Sequence, residues 1–360
     1  MSMKIVLFTA NVSGGIIQFT FQLYHVLKEM GYTVMVCLPS EMYNSDINEI
    51  SEKDRITYHK VKTVLSKQPY KEIAHKIEKK QPDYIWYCDD SVICSEVGMA
   101  LKDKSIKQLL SLHDAGGYHP TYHDSFRNKL LHLYTRIVNK SFYKKVYRFV
   151  LYSPESNKCF VRRWPKYERR ALIMNLGAHV PKTRETKPEE MHIEGDYLLF
   201  FGRIDKYKGV GDLLKAYQLA KEALPLVIAG NGTLSDEEQS VLKNTDNVTL
   251  INRYIADGEM KWLFANATTV VLPYIEATQS GVIPIAYYYS KPVIVSNVPG
   301  LTQFVIDGNT GFICNNQQEW TNTMEWMDKN HAKQMCESIN QYYNDNLLWE
   351  NNVKRMFTQL

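Results

Sequence analysis

Two cations and two glycines directly after an apolar run are the residues of this chain best suited to chemistry. The run Leu198–Phe201 has no polar alternation, which is typical of a strand buried on both faces of a parallel sheet. Arg203 and Lys208 follow it, with Gly209 and Gly211 beside the second cation. A guanidinium and an ammonium at a strand end suit a diphosphate, the first through forked hydrogen bonds and the second as a point charge. The alternative is that both are solvated loop charges, as most single cations are.

The elements that hold these cations follow the order strand, glycine turn, helix. From Asp212 the sequence DLLKAYQLAKEAL has helical spacing, so Leu213, Leu214 and Tyr217 can share one face. Further buried strands are expected at Leu226–Ala229, Val248–Ile251, Thr269–Leu272 and residues 292–295. Because ligands of an open α/β sheet bind beyond the carboxyl ends of its strands, the cations are placed where a ligand would lie.

Residues 272–311 add motifs that indicate a family. In chain order the motifs are RxxxxKG (Arg203, Lys208, Gly209), AGNG (229–232), LPY (272–274), SG (280–281), KPVIVS (291–296) and the run from VPG to DGNTGF (298–312). Together they resemble the nucleotide-binding half of the retaining glycosyltransferases of family 4, which have the GT-B fold. The resemblance is strong over residues 197–312 and weaker elsewhere.

The resemblance implies an α/β protein with the GT-B fold, in which two Rossmann-like doubly wound domains face each other across a cleft. We expect an N-terminal acceptor-binding domain over residues 1–185 and a C-terminal nucleotide-sugar-binding domain over residues 186–345. Residues 346–360 are expected to form a helix that crosses back to the first domain. A charged, proline-containing stretch at residues 182–194 is the predicted linker.

The resemblance also implies which residues bind the donor, a nucleotide-diphosphate sugar that is a substrate and not a cofactor. Arg203 and Lys208 would neutralise the diphosphate and stabilise the leaving group, so that neither a metal ion nor a cofactor is required. Tyr254 would lie near the base, and a variant loop would hold the sugar and phosphate. The loop residues are Gln279, Ser280, Gly281 and Val282, the last three offering backbone N–H groups at a helix start.

The sequence departs from the family at two glutamates separated by seven residues. With residues 291–293 aligned, the second position falls on Ile285 and the first on Ala277, with Glu276 one residue early. Loss of the second glutamate is expected to change how the ribose is held. Glu276 is the candidate catalytic carboxylate, and a one-residue shift of the loop decides whether it replaces the first.

A glycine pair near the N-terminus offers another ligand contact. Residues 3–10 are typical of a buried strand and residues 16–30 of the helix after it, with Gly14 and Gly15 in the turn. Gly15 is a candidate donor contact, since a residue without Cβ lets a ligand approach the free N–H groups of the helix start. A tight turn without a ligand explains the pair equally well, and the absence of GxGxxG argues against a dinucleotide site.

His113 follows a predicted strand, Lys107–Leu112, and is the candidate catalytic histidine. In a GT-B protein a histidine at such a strand end faces the cleft, where it could polarise or position an acceptor hydroxyl. A structural histidine bonded to Asp114 is the alternative.

Residues 126–170 concentrate positive charge. They hold thirteen Arg or Lys and two Glu, a net charge of +11, whereas the whole chain carries +4. Apolar residues at helical spacing, among them Leu133, Ile137, Phe142 and Val146, accompany the cations. The pattern predicts a helix on an anionic membrane surface. A helix packed on the first domain is the alternative, and nucleic acid is not expected as a partner because no nucleic-acid motif is present.

Length and composition indicate the number of domains and the cellular compartment. A chain of 360 residues favours two domains. No apolar run approaches the roughly 18 residues of a membrane-spanning helix, and the stretch at residues 5–10 is too short for a signal-peptide core. Six cysteines without CxxC spacing indicate a reduced protein without structural zinc. We therefore expect a cytoplasmic protein that associates peripherally with the inner face of the plasma membrane.

These expectations combine into one function with two alternatives. We expect a retaining, metal-independent glycosyltransferase of the hexosyltransferase type, acting in bacterial surface-polysaccharide biosynthesis. It would move a sugar from a nucleotide-diphosphate sugar, a UDP-sugar foremost, to a glycan or lipid-linked acceptor. The missing glutamates leave open a non-catalytic GT-B protein that binds a nucleotide sugar or a partner enzyme. A GT-B epimerase or hydrolase is a minor third possibility.

Overall fold

The chain folds into two compact units. The computed structural model describes residues 2–11, 14–41, 50–61, 65–113, 115 and 126–360. One unit comprises Met1–Met174 together with Asn352–Leu360, and the other comprises Asn175–Asn351. Each unit is built on a parallel sheet of its own.

The first unit has, within the described residues, a seven-stranded parallel sheet in the order β3-β2-β1-β4-β5-β6-β7. Its strands are β1 (Lys4–Phe8), β2 (Thr33–Pro39), β3 (Arg55–Tyr58), β4 (Tyr84–Tyr87), β5 (Lys107–Leu112), β6 (Arg148–Leu151) and β7 (Ala171–Ile173). The helices between them are α1 (Gly15–Glu29), α2 (Gln68–Glu78), α3 (Val92–Ala100), α4 (Phe126–Phe142) and α5 (Pro154–Arg163). All four residues of β4 are buried, as expected of a central strand that helices cover on both faces.

Strand order reverses between β1 and β4, and one carboxylate joins the loops that leave these two strands. Asp89 is buried and accepts hydrogen bonds from the backbone N–H groups of Ala10 at 3.1 Å and Ser91 at 2.9 Å. It also accepts one from the side-chain amide of Asn11 at 3.0 Å. Asp89 therefore fixes the edge of this sheet where a ligand of a doubly wound fold would bind.

The second unit has a six-stranded parallel sheet in the order β10-β9-β8-β11-β12-β13, counted over the described part of the chain. Its strands are β8 (Leu198–Phe201), β9 (Leu226–Ala229), β10 (Val248–Ile251), β11 (Thr269–Leu272), β12 (Val293–Ser296) and β13 (Gly311–Cys314). Its helices are α6 (Val210–Leu219), α7 (Asp236–Lys243), α8 (Asp257–Asn266), α9 (Val282–Tyr288), α10 (Pro299–Thr302), α11 (Gln317–Trp326) and α12 (Lys329–Asn346). Strands β8 to β12 lie within one residue of the predicted runs. The two sheets confirm the expected α/β class with two Rossmann-like, doubly wound domains.

The last helix, α13 (Trp349–Phe357), leads the chain end to the first unit. Phe357 stacks on Tyr32 with 5.1 Å between ring centroids. The hydroxyl of Tyr147 donates a hydrogen bond of 2.5 Å to the backbone oxygen of Leu360. An aromatic contact and a side-chain hydrogen bond to a backbone oxygen thus hold residues 352–360 on this unit.

The basic segment, residues 126–170, is not one continuous helix. It divides into α4, β6, α5 and a 3₁₀ turn at Pro165–Arg170. The reason lies in its apolar residues, because Phe142 and Val146 are buried in the core of the first unit. Leu133 and Ile137 on α4 are exposed instead. No helix in the described residues is both long and apolar enough to cross a membrane.

Candidate functional site

The loops that follow β8 and β11 meet at the point where strand order reverses in the second sheet. The backbone N–H of Ile275 donates a hydrogen bond of 2.8 Å to the carbonyl of Tyr207. Gly209 adopts a left-handed backbone with φ of 68°, and a Cβ at this position would overlap the carbonyl oxygen of Pro273. Only glycine fits this turn and this approach together, so Gly209 sets how closely the two loops pack.

The AGNG motif supports the β8 loop from its other side. A Cβ on Gly230 would overlap the carbonyl oxygen of Gly202, and one on Gly232 would overlap that of Ile204. The backbone N–H of Ile204 donates to the carbonyl of Asn231 at 3.0 Å. These glycines therefore position the turn that carries the two cations, and their role in the structure is close backbone packing.

Arg203 and Lys208 lie together in this turn, with two tyrosines beside them. Arg203 is exposed, and its Nη2 donates to the hydroxyl of Tyr207 at 3.2 Å. The Nζ of Lys208 lies 3.6 Å from the ring centroid of Tyr274 and 5.0 Å from that of Tyr207. The cations predicted from sequence to act together are thus brought to one place.

The pKa of Lys208 is lowered to about 7, first because partial burial takes the ammonium out of water and second because the positive charge of Arg203 is near. The carboxylate of Asp205 acts in the opposite direction. Near neutral pH the ammonium is therefore costly to maintain. An anion placed against this turn would relieve that cost, which is the electrostatic property that a diphosphate site needs.

The loop after β11 leads into α9 and carries the remaining predicted donor residues. Ser280 is buried, and its Oγ accepts a hydrogen bond of 3.2 Å from the backbone N–H of Val282. That N–H is thus engaged within the loop. Gly281 has an ordinary φ of −75° and only open space where a Cβ would point. Gln279 is half-buried in the same loop.

A glycine of α10 anchors this loop. A Cβ on Gly300 would overlap the carbonyl oxygen of Ala277, and the side-chain amide of Gln303 donates to the carbonyl of Thr278 at 3.2 Å. The VPG motif thus has a structural purpose, which is to let α10 support the loop after β11.

Three further positions of the second unit differ in exposure. Glu276 is exposed on the loop after β11, whereas Ile285, at the position of the second family glutamate, is buried in α9. Tyr254 is 70% exposed after β10, and its carbonyl accepts a hydrogen bond of 3.1 Å from Arg253. Ion pairs of Arg253 with Glu190 and Glu259, both at 2.7 Å, hold this loop.

In the first unit, His113 lies at the carboxyl end of β5. Its Nε2 donates to the carbonyl of Cys88 at 2.9 Å, and its ring stacks on Tyr152 with 4.6 Å between centroids. Burial lowers the pKa of His113 to about 4, against opposing effects of the Cys88 carbonyl and the Asp89 carboxylate. The imidazole is therefore neutral near pH 7. Asp114, the alternative partner proposed from sequence, lies outside the described residues.

Gly15 begins α1 after the loop from β1. The preceding Gly14 has φ of 86°, a conformation that favours glycine. At both glycines the space that a Cβ would occupy is open, with no other atom within 4 Å of it. Both residues are exposed. Across the described residues, no group of three or more His, Cys, Asp or Glu side chains is placed to hold a metal ion.

Two sequence comparisons relate the chain to known proteins. Residues 195–330 match the family Glycosyl transferases group 1. An uncharacterized glycosyltransferase of Haemophilus influenzae is 22% identical over 339 residues, which cover 91% of each chain. The chain is a glycosyltransferase of the GT-B type.

Solved structures show the same fold over the full length of this glycosyltransferase. Sucrose-phosphate synthase from Thermosynechococcus elongatus superposes with a TM-score of 0.73 at 16% identity, covering 99% of this chain and 98% of its own. HepE of Anabaena, solved in complex with UDP-glucose, superposes with a TM-score of 0.71 at 14% identity, covering 99% and 100%. At such identities the likeness establishes the fold alone.

Sequence reasoning missed the aromatic side chains around the cations of this glycosyltransferase. Tyr274 appeared only as part of the LPY motif and Tyr207 not at all. A signal was present, because Tyr207 immediately precedes Lys208 and Tyr274 follows a strand that the doubly wound order places beside β8. The contact itself joins residues far apart in the sequence, which no local pattern reports.

Proposed function

We propose that this protein is a retaining glycosyltransferase of family 4 that transfers a hexose from a nucleotide-diphosphate sugar. The observation that carries the proposal is the pair Arg203 and Lys208, set at the strand-order reversal of the second sheet with open space at Gly281. A UDP-sugar is the proposed donor, supported by the UDP-glucose bound to HepE. The acceptor is a glycan or lipid-linked sugar in bacterial surface-polysaccharide assembly.

In the proposed reaction the two cations act on the leaving nucleoside diphosphate. Arg203 has guanidinium N–H groups beyond the one given to Tyr207, so it can bind phosphate oxygens in a forked geometry. Lys208 adds a point charge whose stabilisation grows as negative charge develops on the leaving group. Since these charges serve where a divalent ion would, we expect activity to persist in excess EDTA.

The proposed site differs from the family pattern at the positions of the two glutamates. Ile285 offers no carboxylate to the ribose, so we propose that the ribose is held by backbone groups and by the loop of Gln279 and Ser280. Glu276 is exposed beside that loop and is the proposed carboxylate for the transferred sugar. If Glu276 does not act as this carboxylate, the protein binds a nucleotide sugar without transferring the sugar.

On the acceptor side, the neutral imidazole of His113 is proposed to position a hydroxyl. The hydrogen bond from its Nε2 to the Cys88 carbonyl fixes the orientation of the ring. A lipid-linked acceptor would bring the first unit to an anionic membrane. The proposed contact is α4, which exposes Leu133 and Ile137 beside the exposed cations Arg136 and Lys140.

The test is UDP binding by calorimetry, with turnover of UDP-glucose and related donors. Arg203→Ala and Lys208→Ala should each weaken UDP binding by about 10- to 100-fold, because each removes a charge-assisted contact worth about 1.5–3 kcal/mol. Lys206→Ala is the matched control, since Lys206 is an exposed cation in the same turn and should bind as wild type. Wild-type UDP affinity in both site variants would refute the donor site. UDP binding without turnover of any donor would favour the non-catalytic protein.

A further inference from the structure

We propose that Tyr274 and Tyr207 are positioning residues, which hold Lys208 and Arg203 as a charged pair facing the donor diphosphate. The proposal rests on the function proposed above and extends it to two side chains that need not touch the donor. The Nζ of Lys208 lies over the Tyr274 ring, and the Tyr207 hydroxyl accepts from Arg203. Tyr207 therefore contacts both cations, and Tyr274 lies against the more buried one.

The first step concerns rigidity. Tyr274 is 1% exposed, and it follows Pro273, whose carbonyl packs against Gly209. Tyr207 is joined to the same loop, because its carbonyl accepts from the N–H of Ile275. The backbone positions of both tyrosines are thus fixed by contacts between the two loops, and burial holds the Tyr274 ring in place. A fixed ring under the ammonium limits the positions that the flexible lysine side chain can take.

The second step concerns charge. The charged groups that act on Lys208 are Arg203, which opposes its protonation, and Asp205, which favours it. The face of an aromatic ring attracts a cation through its quadrupole and carries no net charge. A carboxylate in the place of Tyr274 would stabilise the ammonium as well, but it would repel a diphosphate. A ring therefore stabilises the lysine charge and leaves it available to an anion.

The third step concerns the guanidinium. Tyr207 accepts one N–H of Arg203 at 3.2 Å, and its own ring lies 5.0 Å from the Lys208 Nζ. One residue thus contacts both cations, which repel each other. The hydroxyl orients Arg203, and the ring contributes to holding Lys208. Loss of the hydroxyl alone should affect Arg203, and loss of the Tyr274 ring should affect Lys208.

The experiment follows the titration of Lys208 directly and needs no ligand. The full-length protein is labelled competitively with acetic anhydride across pH 5–10, and the Lys208 peptide is quantified by mass spectrometry. Tyr274→Phe keeps the ring and should keep the midpoint of labelling. Tyr274→Leu removes the ring but keeps an apolar side chain, and it should move the midpoint to lower pH, because the ammonium loses its cation–π contact. An unchanged midpoint in Tyr274→Leu would overturn the proposal.

A matched control separates positioning from loss of stability. Tyr197 is also 1% exposed and lies in the core of the same unit. Tyr197→Leu should lower the melting temperature at least as much as Tyr274→Leu, and it should leave the Lys208 midpoint in place. A midpoint that shifts equally in both variants would show a structural effect and would count against the proposal.

UDP binding then links the two tyrosines to the donor site. Tyr274→Leu should weaken UDP binding by about 3- to 30-fold, the range of a partly desolvated cation–π contact, and should have no further effect in a Lys208→Ala background. Tyr207→Phe should weaken it by a smaller factor and only while Arg203 is present. If Arg203→Ala and Lys208→Ala bind UDP like wild type, the donor site itself is refuted. If they lose binding and both tyrosine variants retain it, only this inference fails.

Discussion

At the scale of single residues, the site depends on a lysine that the protein keeps charged at a cost. Lys208 is surrounded by aromatic rings and lies near Arg203, and its pKa falls to about 7. Burial is the first cause of this shift and repulsion is the second. A charged group that is destabilised by burial and by a like charge is a common feature of binding and catalytic sites, since the ligand supplies the missing counter-charge.

The lowered pKa predicts how stability depends on pH. The unfolded chain keeps Lys208 protonated up to its ordinary value of 10.5, whereas the folded protein releases the proton near pH 7. Between these values the unfolded state binds more protons, so this residue makes stability rise with pH across that window. Lys208→Met should therefore stabilise the protein most below pH 7, by about 1–3 kcal/mol after allowing for partial exposure, and progressively less towards pH 10.

Urea denaturation at pH 6 and pH 9 measures this difference. Lys206→Met is the control, since Lys206 is exposed in the same turn and its loss should change stability by less than about 0.5 kcal/mol at either pH. Equal gains for Lys208→Met at the two pH values would contradict the predicted titration.

At the scale of elements, the site is made by two loops that glycines allow to meet. Gly209 packs on the Pro273 carbonyl in a left-handed conformation, whereas Gly281 has an ordinary backbone and open space. Gly209→Ala should destabilise the second unit by about 2 kcal/mol or more, because the added carbon meets backbone and not a movable side chain. Gly281→Ala should leave the melting temperature unchanged and weaken UDP binding, since its space is proposed for the donor. If Gly209→Ala melted like wild type, or if Gly281→Ala bound UDP fully, this division of roles would be wrong.

The sequence could predict those elements whose pattern lies in consecutive residues. It could not predict features that depend on residues far apart in the chain. Strands β8 and β9 are continuous apolar runs, β10 and β11 contain one threonine each, and the cations follow β8 directly, so the strands and the cations were predictable. Strand β13 begins with Gly311 and lies at the sheet edge, and β3 alternates in burial within a polar region, so neither was specified. The pattern of the basic segment predicted a helix, and α4 is one, but helical spacing alone did not show which apolar residues pack the core, as Phe142 does. The contact of Lys208 with Tyr274 depends on the order of strands in the folded sheet.

At the scale of the whole molecule, the net positive charge is concentrated in one segment of the first unit. The segment 126–170 carries +11, although the chain carries only +4. Some of its cations support the fold, since Lys145 donates to the carbonyl of Met99 at 3.0 Å and Arg148 packs on Tyr147. Others, on α4 and directly after it, are exposed and serve no such purpose in the described residues: Arg136, Lys140 and Lys144.

These three exposed cations are predicted to bind anionic membranes. Each lysine or arginine close to such a surface contributes about 1 kcal/mol, and the attraction falls off within a Debye length. Changing Arg136, Lys140 and Lys144 to Ser should therefore weaken binding to vesicles containing anionic lipid by about 3 kcal/mol, roughly 100-fold. Sedimentation with vesicles at low and at high salt measures the effect, and high salt should release the wild-type protein.

The matched control removes the same number of charges from the first unit at positions outside the basic segment. Lys79, Lys102 and Lys104 are exposed and lie outside the basic segment, so changing them to Ser should leave vesicle binding close to wild type. Both triple variants should bind UDP normally, because the proposed donor site lies in the second unit. If the two triple variants lost vesicle binding equally, the attraction would depend on total charge and not on α4. If wild-type protein bound neutral vesicles as well as anionic ones, or neither, the cations of α4 would have no role at a membrane and a water-soluble glycan would be the acceptor to test.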